Sequence, residues 1–433
     1  MSAMQRGSLS YVGPTFRSGG TPAADARPKG RAYVRGGWLI AIALVTIVLP
    51  LTAQTTKPIT ITVSETTGIR RNEYPTNARV PVPRAAMPNA DHVRLRANGA
   101  DVPAQFAIAE KWEDGSVRTL DIDFNVSILP GESKTFQLEY GAGITPGPIA
   151  RGLQVTEAPD VIQVGNVKFG RSGSPLIVSA TYRSEFIASI ETASLSGANG
   201  LGVIADTTRR DLSAARDLKV ELLKRGPLVA VVQYTGRLPI DATYDVPFAI
   251  TCEMPSSKSW IRTTATVTDS AKRVKGLVLS TPLSFGDKPW LWDFGTPNGT
   301  YGAMRGTTDS VVLTQLAGTK SANSWSVQTS SATVAMAVYE SSTPSRGATA
   351  AGWGHIYDAT KAVAFGVDKF AMEPGTYTIS LSARGFAIFG FTPAQPRVDH
   401  QLTVYEHFVS TPIPIGAVTS PTAMLNPLVV TVK

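Results

Sequence analysis

The chain is poor in cysteine and in charged residues, and each shortage excludes a class of protein. Cys252 is the only cysteine among 433 residues, so the sequence supports neither an intramolecular disulfide nor a cysteine-based metal site. Charged residues make up 17% of the chain and hydrophobic residues 43%, which is enough apolar material for a large buried core. Lysine and arginine form no runs interleaved with aromatic residues, which argues against nucleic acid as a partner.

The common catalytic motifs are also missing. The sequence has no Gly-x-Ser-x-Gly, no His-Glu-x-x-His and no phosphate-binding loop, each of which would indicate a definite chemistry. His400 and His407 lie in one predicted strand, but their spacing of seven places them on opposite faces, where they cannot share a metal. We therefore predict no cofactor and no metal site, and we assign no catalytic residue.

Helical periodicity is scarce, and most patterned segments alternate with the period of a strand. Ile59–Val63, Lys134–Glu139 and Thr376–Leu381 alternate apolar and polar residues, and Leu228–Tyr234 is nearly all apolar. Glycine or proline separates most of these segments. The pattern predicts an all-β protein of sandwich or barrel type.

A stretch rich in glycine and proline divides the patterned region in two. Residues 141–150, "GAGITPGPIA", predict a linker. This linker separates a small domain at 58–140 from a large one at 151–433. The large domain is long enough for one β-sandwich of many strands or for two smaller sandwiches.

The N-terminal residues predict export. Residues 1–37 form a polar leader, and an apolar run of 14 residues follows at Trp38–Leu51. We interpret 38–53 as the hydrophobic region of a signal peptide, because Leu-Thr-Ala before Gln54 fits a cleavage site. The alternative is one uncleaved membrane anchor, since 36–56 are 21 uncharged residues, enough to cross a bilayer.

We favour cleavage because Pro50 and the polar residues after Leu51 end the apolar run early. Both interpretations place residues 58–433 outside the cytoplasm, either secreted or periplasmic, and limit membrane contact to the N-terminal segment. Cys252 is then best explained as a small apolar residue of the core.

The stretch "GDKPWLWDFGTPNGTYGAMRG" is the most suggestive of ligand binding. Trp290, Trp292 and Phe294 alternate, so an extended strand places the three rings on one face. The flanking candidates for polar contacts are Asp293, Tyr301 and Arg305. Such a surface suits a sugar, whose apolar face stacks on indole while its hydroxyls form hydrogen bonds.

The alternative, which we favour, is a core strand whose aromatic rings fill a large sandwich, because tryptophan side chains usually pack. Weaker forms of the same aromatic and polar pattern occur at Trp260 with Arg262 and at Trp353 with His355 and Tyr357.

The stretch "KWEDGSVRTLDIDF" predicts a β-hairpin with a structural turn. Gly115 supplies the positive φ, the Asp114 side chain bonds back to the turn backbone, and Trp112 covers the hairpin. Asp121 and Asp123 alternate with apolar residues and therefore share one face. A catalytic pair or a calcium site is one interpretation of them, and a solvated strand face is the one we favour.

Residues 59–140 resemble a known module. The motifs are "VPVPR", "GADVPAQ" and "WEDGSVR", and they are similar to those of the N-terminal RIFT-barrel domain of exo-rhamnogalacturonan lyases. Ala85 stands where a glycine is expected after "VPVPR". The later stretches "LLKRGPLVAVVQYTG" and "KSWIRTTATVTD" are more loosely similar to the central β-sandwich of the same proteins.

The resemblance implies a RIFT-type β-barrel at 58–140, a β-sandwich at 151–433, and a carbohydrate context. Such lyases continue into a large α/α toroid, and these 433 residues contain no helical repeats of that kind. The resemblance therefore implies architecture and transfers no catalytic residue.

Three functions stay open at this point. The first, which we favour, is an exported non-catalytic or accessory protein that binds polysaccharide or oligosaccharide, with an acidic, pectin-type polymer as one candidate. The second is a polysaccharide lyase or hydrolase whose site is built from sandwich loops, with Tyr301, His355 or Arg305 in one cleft. The third is a structural module of the cell envelope.

Overall fold

The computed structural model describes most of the chain after the leader. The described residues are 58–172, 177–178, 183–191, 207–297, 299–318, 323–330, 348–413 and 418–433. The polar leader predicted at 1–37 and the signal peptide or anchor predicted at 38–53 lie outside the described residues. Within the described part of the chain, no helix is both long and apolar enough to span a membrane.

The fold is all-β, as the alternating pattern predicts. The strands of the N-terminal region are β1 (Ile59–Ser64), β2 (Arg71–Pro81), β3 (Val93–Ala97), β4 (Ala100–Val102), β5 (Ala104–Lys111), β6 (Val117–Ile128) and β7 (Ser133–Tyr140). The strands from residue 155 to residue 268 are β8 (Val155–Glu157), β9 (Val161–Val164), β10 (Val167–Gly170), β11 (Ile177–Val178), β12 (Arg183–Glu191), β13 (Thr207–Asp211), β14 (Arg216–Lys224), β15 (Val229–Pro239), β16 (Asp245–Pro255) and β17 (Trp260–Thr268).

The remaining elements are strands and one short helix. The strands are β18 (Val274–Pro282), β19 (Trp290–Phe294), β20 (Thr300–Met304), β21 (Ser310–Ala317), β22 (Ser324–Ser330), β23 (Trp353–Tyr357), β24 (Lys361–Val367), β25 (Gly375–Ser382), β26 (Phe386–Pro393), β27 (Asp399–Ser410) and β28 (Val429–Val432). A 3-10 turn occupies Leu212–Ala214, and the helix α1 occupies Ser420–Leu425.

Two small sheets form the N-terminal barrel around one apolar core. One sheet has the order β28-β1-β7-β3-β4 and the other the order β2-β6-β5. Inward residues of both sheets are fully buried, for example Ile61, Leu95 and Ile122. Their alternation with polar residues is the period-2 pattern from which the strands were predicted.

The last strand corrects the predicted boundary at 151–433. β28 pairs with β1 in antiparallel register, with Val432 opposite Ile61. The C-terminus therefore belongs to the N-terminal barrel. An alternating pattern such as "VVTV" shows that a segment is a strand but does not show which strand pairs with it.

Two large sheets form the sandwich. One has the order β22-β21-β25-β26-β18-β12-β11-β10-β9-β8, with β13 also pairing with β12, and the other has the order β14-β15-β16-β17-β27-β24-β23-β19-β20. The second of these is called the nine-stranded sheet below. Buried residues of both sheets, among them Phe294, Phe365 and Phe389, form one core cluster.

The opposite side of the nine-stranded sheet, called the outer face below, carries α1 and the barrel. Ser420 at the start of α1 lies with its Oγ 2.9 Å from Nδ1 of His407. Leu425 at its end packs so closely on Gly366 that a Cβ there would lie 3.0 Å from its Cγ. The glycine thus allows the helix to lie flat on β24.

Arg71 of β2 holds the barrel against α1. Its guanidinium donates to the carbonyl oxygens of Ala423 (2.8 Å) and Asn426 (2.6 Å), and it lies 3.6 Å from the carboxylate of Glu65. Burial alone would raise the pKa of Glu65, but hydrogen bonds from Thr67 and from backbone N–H groups lower it to about 2. The buried pair therefore stays ionised and fixes the barrel on the outer face.

Candidate functional site

The predicted aromatic surface faces the core instead of solvent. Trp290, Trp292 and Phe294 do share one face of β19, but they are only 7%, 3% and 1% exposed. The indole N–H of Trp290 donates to the carbonyl of Gly286 at 2.9 Å, and the rings of Trp292 and Phe294 lie 5.5 Å apart. This burial agrees with the interpretation that we favoured, a core strand, and not with an exposed sugar platform, because a sandwich of this size uses large rings to fill its interior.

The polar candidates of the same stretch lie on the outer face, away from the buried rings. Asp293 Oδ1 accepts the backbone N–H of His355 at 2.9 Å and lies 2.7 Å from its Nδ1. Tyr301 lies opposite Asp293 in the strand register and is 65% exposed. The backbone N–H of Arg305, after β20, donates to Asp309.

The five predicted ligand-binding residues are therefore divided between two sides of the sheet. Trp290 and Trp292 point inward, whereas Asp293 and Tyr301 point outward and Arg305 lies in the turn after β20. The predicted catalytic combination of Tyr301, His355 and Arg305 is not brought together in one cleft, since His355 is 3% exposed beneath Asp293. Asn298 lies outside the described residues.

The turn at Asp114-Gly115 has the geometry of a structural turn. Gly115 has φ +83°, and Asp114 Oδ1 accepts the backbone N–H of Ser116 at 3.0 Å and its hydroxyl at 2.6 Å. The indole of Trp112 donates to the carbonyl of Val82 at 3.0 Å. These bonds fix the connection between β5 and β6.

Asp123, on the strand that follows this turn, is not on a solvated face. It is only 3% exposed. Asn77 Nδ2 and Lys224 Nζ each donate to its carboxylate at 2.8 Å. Asp121, two residues earlier, is 20% exposed at its side chain and pairs with Arg79 at 3.1 Å. The expectation of a solvated face is therefore wrong for Asp123, because the sandwich covers this part of β6.

The two aspartates line a cleft of about 360 Å³ between the barrel and the outer face of the nine-stranded sheet. We call it the junction cleft. Its polar lining residues are Thr76, Asn77, Asp121, Asp123, Lys224, Glu253, Arg262 and Tyr405. Tyr74, Trp260 and Leu428 also line it, so that barrel, sheet and C-terminal segment all contribute.

Strand register explains why three of these side chains meet. Arg262 of β17 lies opposite Glu253 of β16 on one side and opposite Tyr405 of β27 on the other. Directly opposed residues of antiparallel strands point to the same face. Arg262 Nη1 accordingly lies 3.8 Å from Glu253 Oε2, and its guanidinium carbon lies 5.8 Å from the Tyr405 ring centroid.

The enclosure of the cleft changes the acidity of its groups. Burial raises the pKa of Glu253, with Arg262 opposing the shift and Asp123 adding to it. The Glu253 side chain lines the cleft and is 42% exposed, so the cleft surrounds it without closing over it. Burial also raises the pKa of Tyr405 to about 12 and that of Tyr74. Both phenols are therefore neutral hydroxyl groups at physiological pH.

Two larger cavities, of about 810 and 740 Å³, share Ser259 and Phe408 in their walls. Their linings are mainly apolar, and the charged side chains described in them are Lys361 in the first and Lys258 in the second. Residues 414–417, which follow a wall residue of the first cavity, lie outside the described residues. The junction cleft is the stronger candidate for a polar ligand because opposite charges converge there.

Sequence analysis did not find the junction cleft. Its residues come from positions between 74 and 430, on strands from β2 to β28, and no short motif contains more than a few of them. The available signal was the placing of Asp123, Glu253 and Arg262 as charged residues within otherwise buried strands. A charged residue at such a position requires a partner or a cleft.

Comparison with known proteins identifies a fold relationship. No protein-family model and no curated protein matches the chain. Among solved structures, the chain is similar to an alpha-mannosidase from Enterococcus faecalis V583, with 11% identity and a TM-score of 0.52 over 87% of this chain and 46% of the other. A protein in the glycosyl hydrolase family 38 from Enterococcus faecalis gives 10% identity and a TM-score of 0.51, over 87% and 47%. At this identity the likeness establishes the fold alone, and the chain spans about half the length of these relatives.

Proposed function

We propose that the chain is an exported, non-catalytic protein of polysaccharide handling that binds a glycan in the junction cleft. The observation that carries the proposal is the convergence of carboxylates, cations and a tyrosine hydroxyl in one cleft between the barrel and the nine-stranded sheet. Export rests on the predicted signal peptide at 38–53.

The chemistry of the cleft suits the hydroxyl groups of a sugar. Each sugar hydroxyl donates one hydrogen bond and accepts others, and the cleft offers both kinds of partner. Asp121 and Glu253 accept, Arg262 and Lys224 donate, and Tyr405 can do either. The rings of Tyr405 and Tyr74 add apolar surface of the kind that stacks on a pyranose.

Two further observations support a carbohydrate ligand. The solved structures with a similar fold include an alpha-mannosidase and a family 38 glycosyl hydrolase. The motifs "VPVPR" and "WEDGSVR" resemble a domain of exo-rhamnogalacturonan lyases, and identification of residues 58–140 as a RIFT-type barrel is part of the proposal. Both comparisons place related architecture in carbohydrate-active proteins, which is an argument by analogy.

Calorimetric titration of the protein with a panel of oligosaccharides tests this proposal. We expect Arg262→Ala to weaken binding about tenfold or more, because it removes a donor from the cleft. Arg305→Ala is the matched control, since Arg305 is an exposed arginine outside the cleft. Equal oligosaccharide affinity of the two variants, or no binding by the unmodified protein, would contradict the proposal.

A hydrolase is the second candidate. Glu253 has a raised pKa and shares the cleft with Asp123, and glycosidases use such a pair of carboxyl groups as acid and as base or nucleophile. The same titrations separate the candidates. Release of reducing ends, lost in Glu253→Gln, would favour the hydrolase, whereas binding without products favours the accessory protein.

A further inference from the structure

We infer that the glycan bound in the junction cleft is uncharged, an inference that rests on the proposed function and narrows it. Sequence analysis admitted an acidic, pectin-type polymer. The ion pairs of the cleft oppose that assignment.

Each carboxylate in the cleft already has its own cation. Asp121 pairs with Arg79 at 3.1 Å, and Asp123 pairs with Lys224 at 2.8 Å. Glu253 lies 3.8 Å from Arg262. The lining of the cleft contains these three acids and two of the bases, Lys224 and Arg262. Arg79 pairs with Asp121 from outside the lining and brings the charges into balance. A cleft built for an anionic sugar would instead present a cation in excess, as Arg-based carboxylate sites do.

An entering uronate would meet unfavourable neighbours. Its carboxylate would have to draw Lys224 away from Asp123, which is 3% exposed, or draw Arg262 away from Glu253. Either exchange leaves a protein carboxylate without its cation in a partly desolvated cleft, which is costly. An ammonium sugar meets the converse problem, since Lys224 and Arg262 already neutralise Asp123 and Glu253 and would repel a further cation.

Neutral hydroxyl groups avoid both costs. A paired carboxylate keeps free lone pairs and a paired guanidinium keeps free N–H groups, so each can bond a hydroxyl without giving up its partner. Tyr405 provides a neutral hydroxyl of its own beside Arg262. The cleft is therefore suited to the hydroxyl-rich faces of neutral hexose or pentose polymers.

The test measures the binding of neutral oligosaccharides and of one acidic oligosaccharide with and without its charge. The panel contains neutral manno-, galacto-, gluco- and xylo-oligosaccharides, together with oligogalacturonides in the methyl-ester and free-acid forms. We expect tight binding within the neutral group, at least tenfold weaker binding of free acid than of ester, and little change in affinity between 50 and 500 mM salt, in line with weak screening of uncharged contacts.

The outcomes distinguish failure of the inference from failure of the proposed function. Preferential binding of free acid, with affinity that falls steeply as salt rises, would overturn the inference and keep the proposed function. Binding by no member of the panel would overturn the proposed function itself.

A variant sharpens the test. Asp121→Asn removes one carboxylate and leaves Arg79 unpaired at the edge of the cleft. The change is isosteric, and both side chains of the pair have solvent access, at 20% and 65%, so the fold should tolerate it. We expect the ratio of free-acid to ester affinity to rise about threefold. An unchanged ratio would show that charge balance does not set the specificity and would overturn the inference.

Discussion

β17 and β19 belong to the same sheet, and the contrast between them shows how the proposed ligand surface differs from a core surface. β19 places Trp290 and Trp292 on the inner face, where they fill the sandwich. β17 places Arg262 on the outer face, where Glu253 and Tyr405 flank it. Each strand carries one charged residue: Asp293 of β19 contacts the buried His355, whereas Arg262 of β17 lines the junction cleft.

The barrel causes this difference because it covers part of the outer face. The outer face of a two-layer sandwich normally faces water, and its polar residues are then only solvated. Here α1 and the barrel lie on that face, held by Arg71, and convert part of it into a cleft. A second domain is thus what turns ordinary polar positions of β16, β17 and β27 into candidates for binding.

The largest expected difference is in the free energy of unfolding, between a variant that truncates an inner aromatic ring and one that truncates an outer ring. We expect Trp292→Ala to lower the free energy of unfolding by about 3–5 kcal/mol, because it opens a cavity in the core. Tyr301→Ala, its outer-face counterpart at 65% exposure, should change it by about 0.5 kcal/mol or less. Urea unfolding monitored by circular dichroism measures both. A small loss for Trp292→Ala would mean that β19 does not face the core.

The sequence predicted the fold class well because strand periodicity is a local property. It also predicted that Trp290, Trp292 and Phe294 share a face, but not which face, since the alternation is the same whether the rings face the core or the solvent. The pairing of β28 with β1 and the meeting of Asp123 with Lys224 depend on contacts between residues more than 100 positions apart. No local pattern contains that information, and the candidate site was missed for this reason.

Substitution of Gly115 in the β5–β6 turn should have an intermediate effect on the free energy of unfolding. Gly115 has φ +83°, so Gly115→Ala should cost about 1 kcal/mol of unfolding free energy, since a Cβ opposes that conformation. Gly147→Ala is the control, because a Cβ there would meet its nearest neighbour at an ordinary 3.5 Å. The turn sets the register that brings Asp121 and Asp123 into the cleft. Equal stability of the two variants in urea would mean that the turn is not strained by a side chain.

The smallest expected effect is a pH dependence of binding that arises at Glu253. The charged groups that act on it are Arg262, Asp123 and Lys224. Because its pKa is raised, Glu253 takes up a proton as pH falls, at a higher pH than an ordinary glutamate does. The cleft then changes from balanced to net positive. We expect binding of free-acid oligogalacturonide to strengthen about threefold between pH 7 and pH 5, since roughly that factor follows from one charge at partial exposure.

Glu406, next to Tyr405 in β27, is a second carboxyl group that titrates in this range, because burial raises its pKa to about 7. Controls assign the dependence to one of the two carboxyl groups. The uronate itself stays ionised in this range, as its pKa is roughly 3.5, and burial lowers the pKa of His407, whose ring lies 5.9 Å from that of Trp260, to about 4. Neither group therefore titrates between pH 5 and pH 7. Glu253→Gln should abolish the dependence, and Glu113→Gln, at an exposed glutamate of the β5–β6 turn, should retain it. A pH dependence of binding that survives in Glu253→Gln would mean that another group titrates. The outer-face residues around β17 would then not be the source of the pH dependence, and this difference from the inner face of β19 would be disproved.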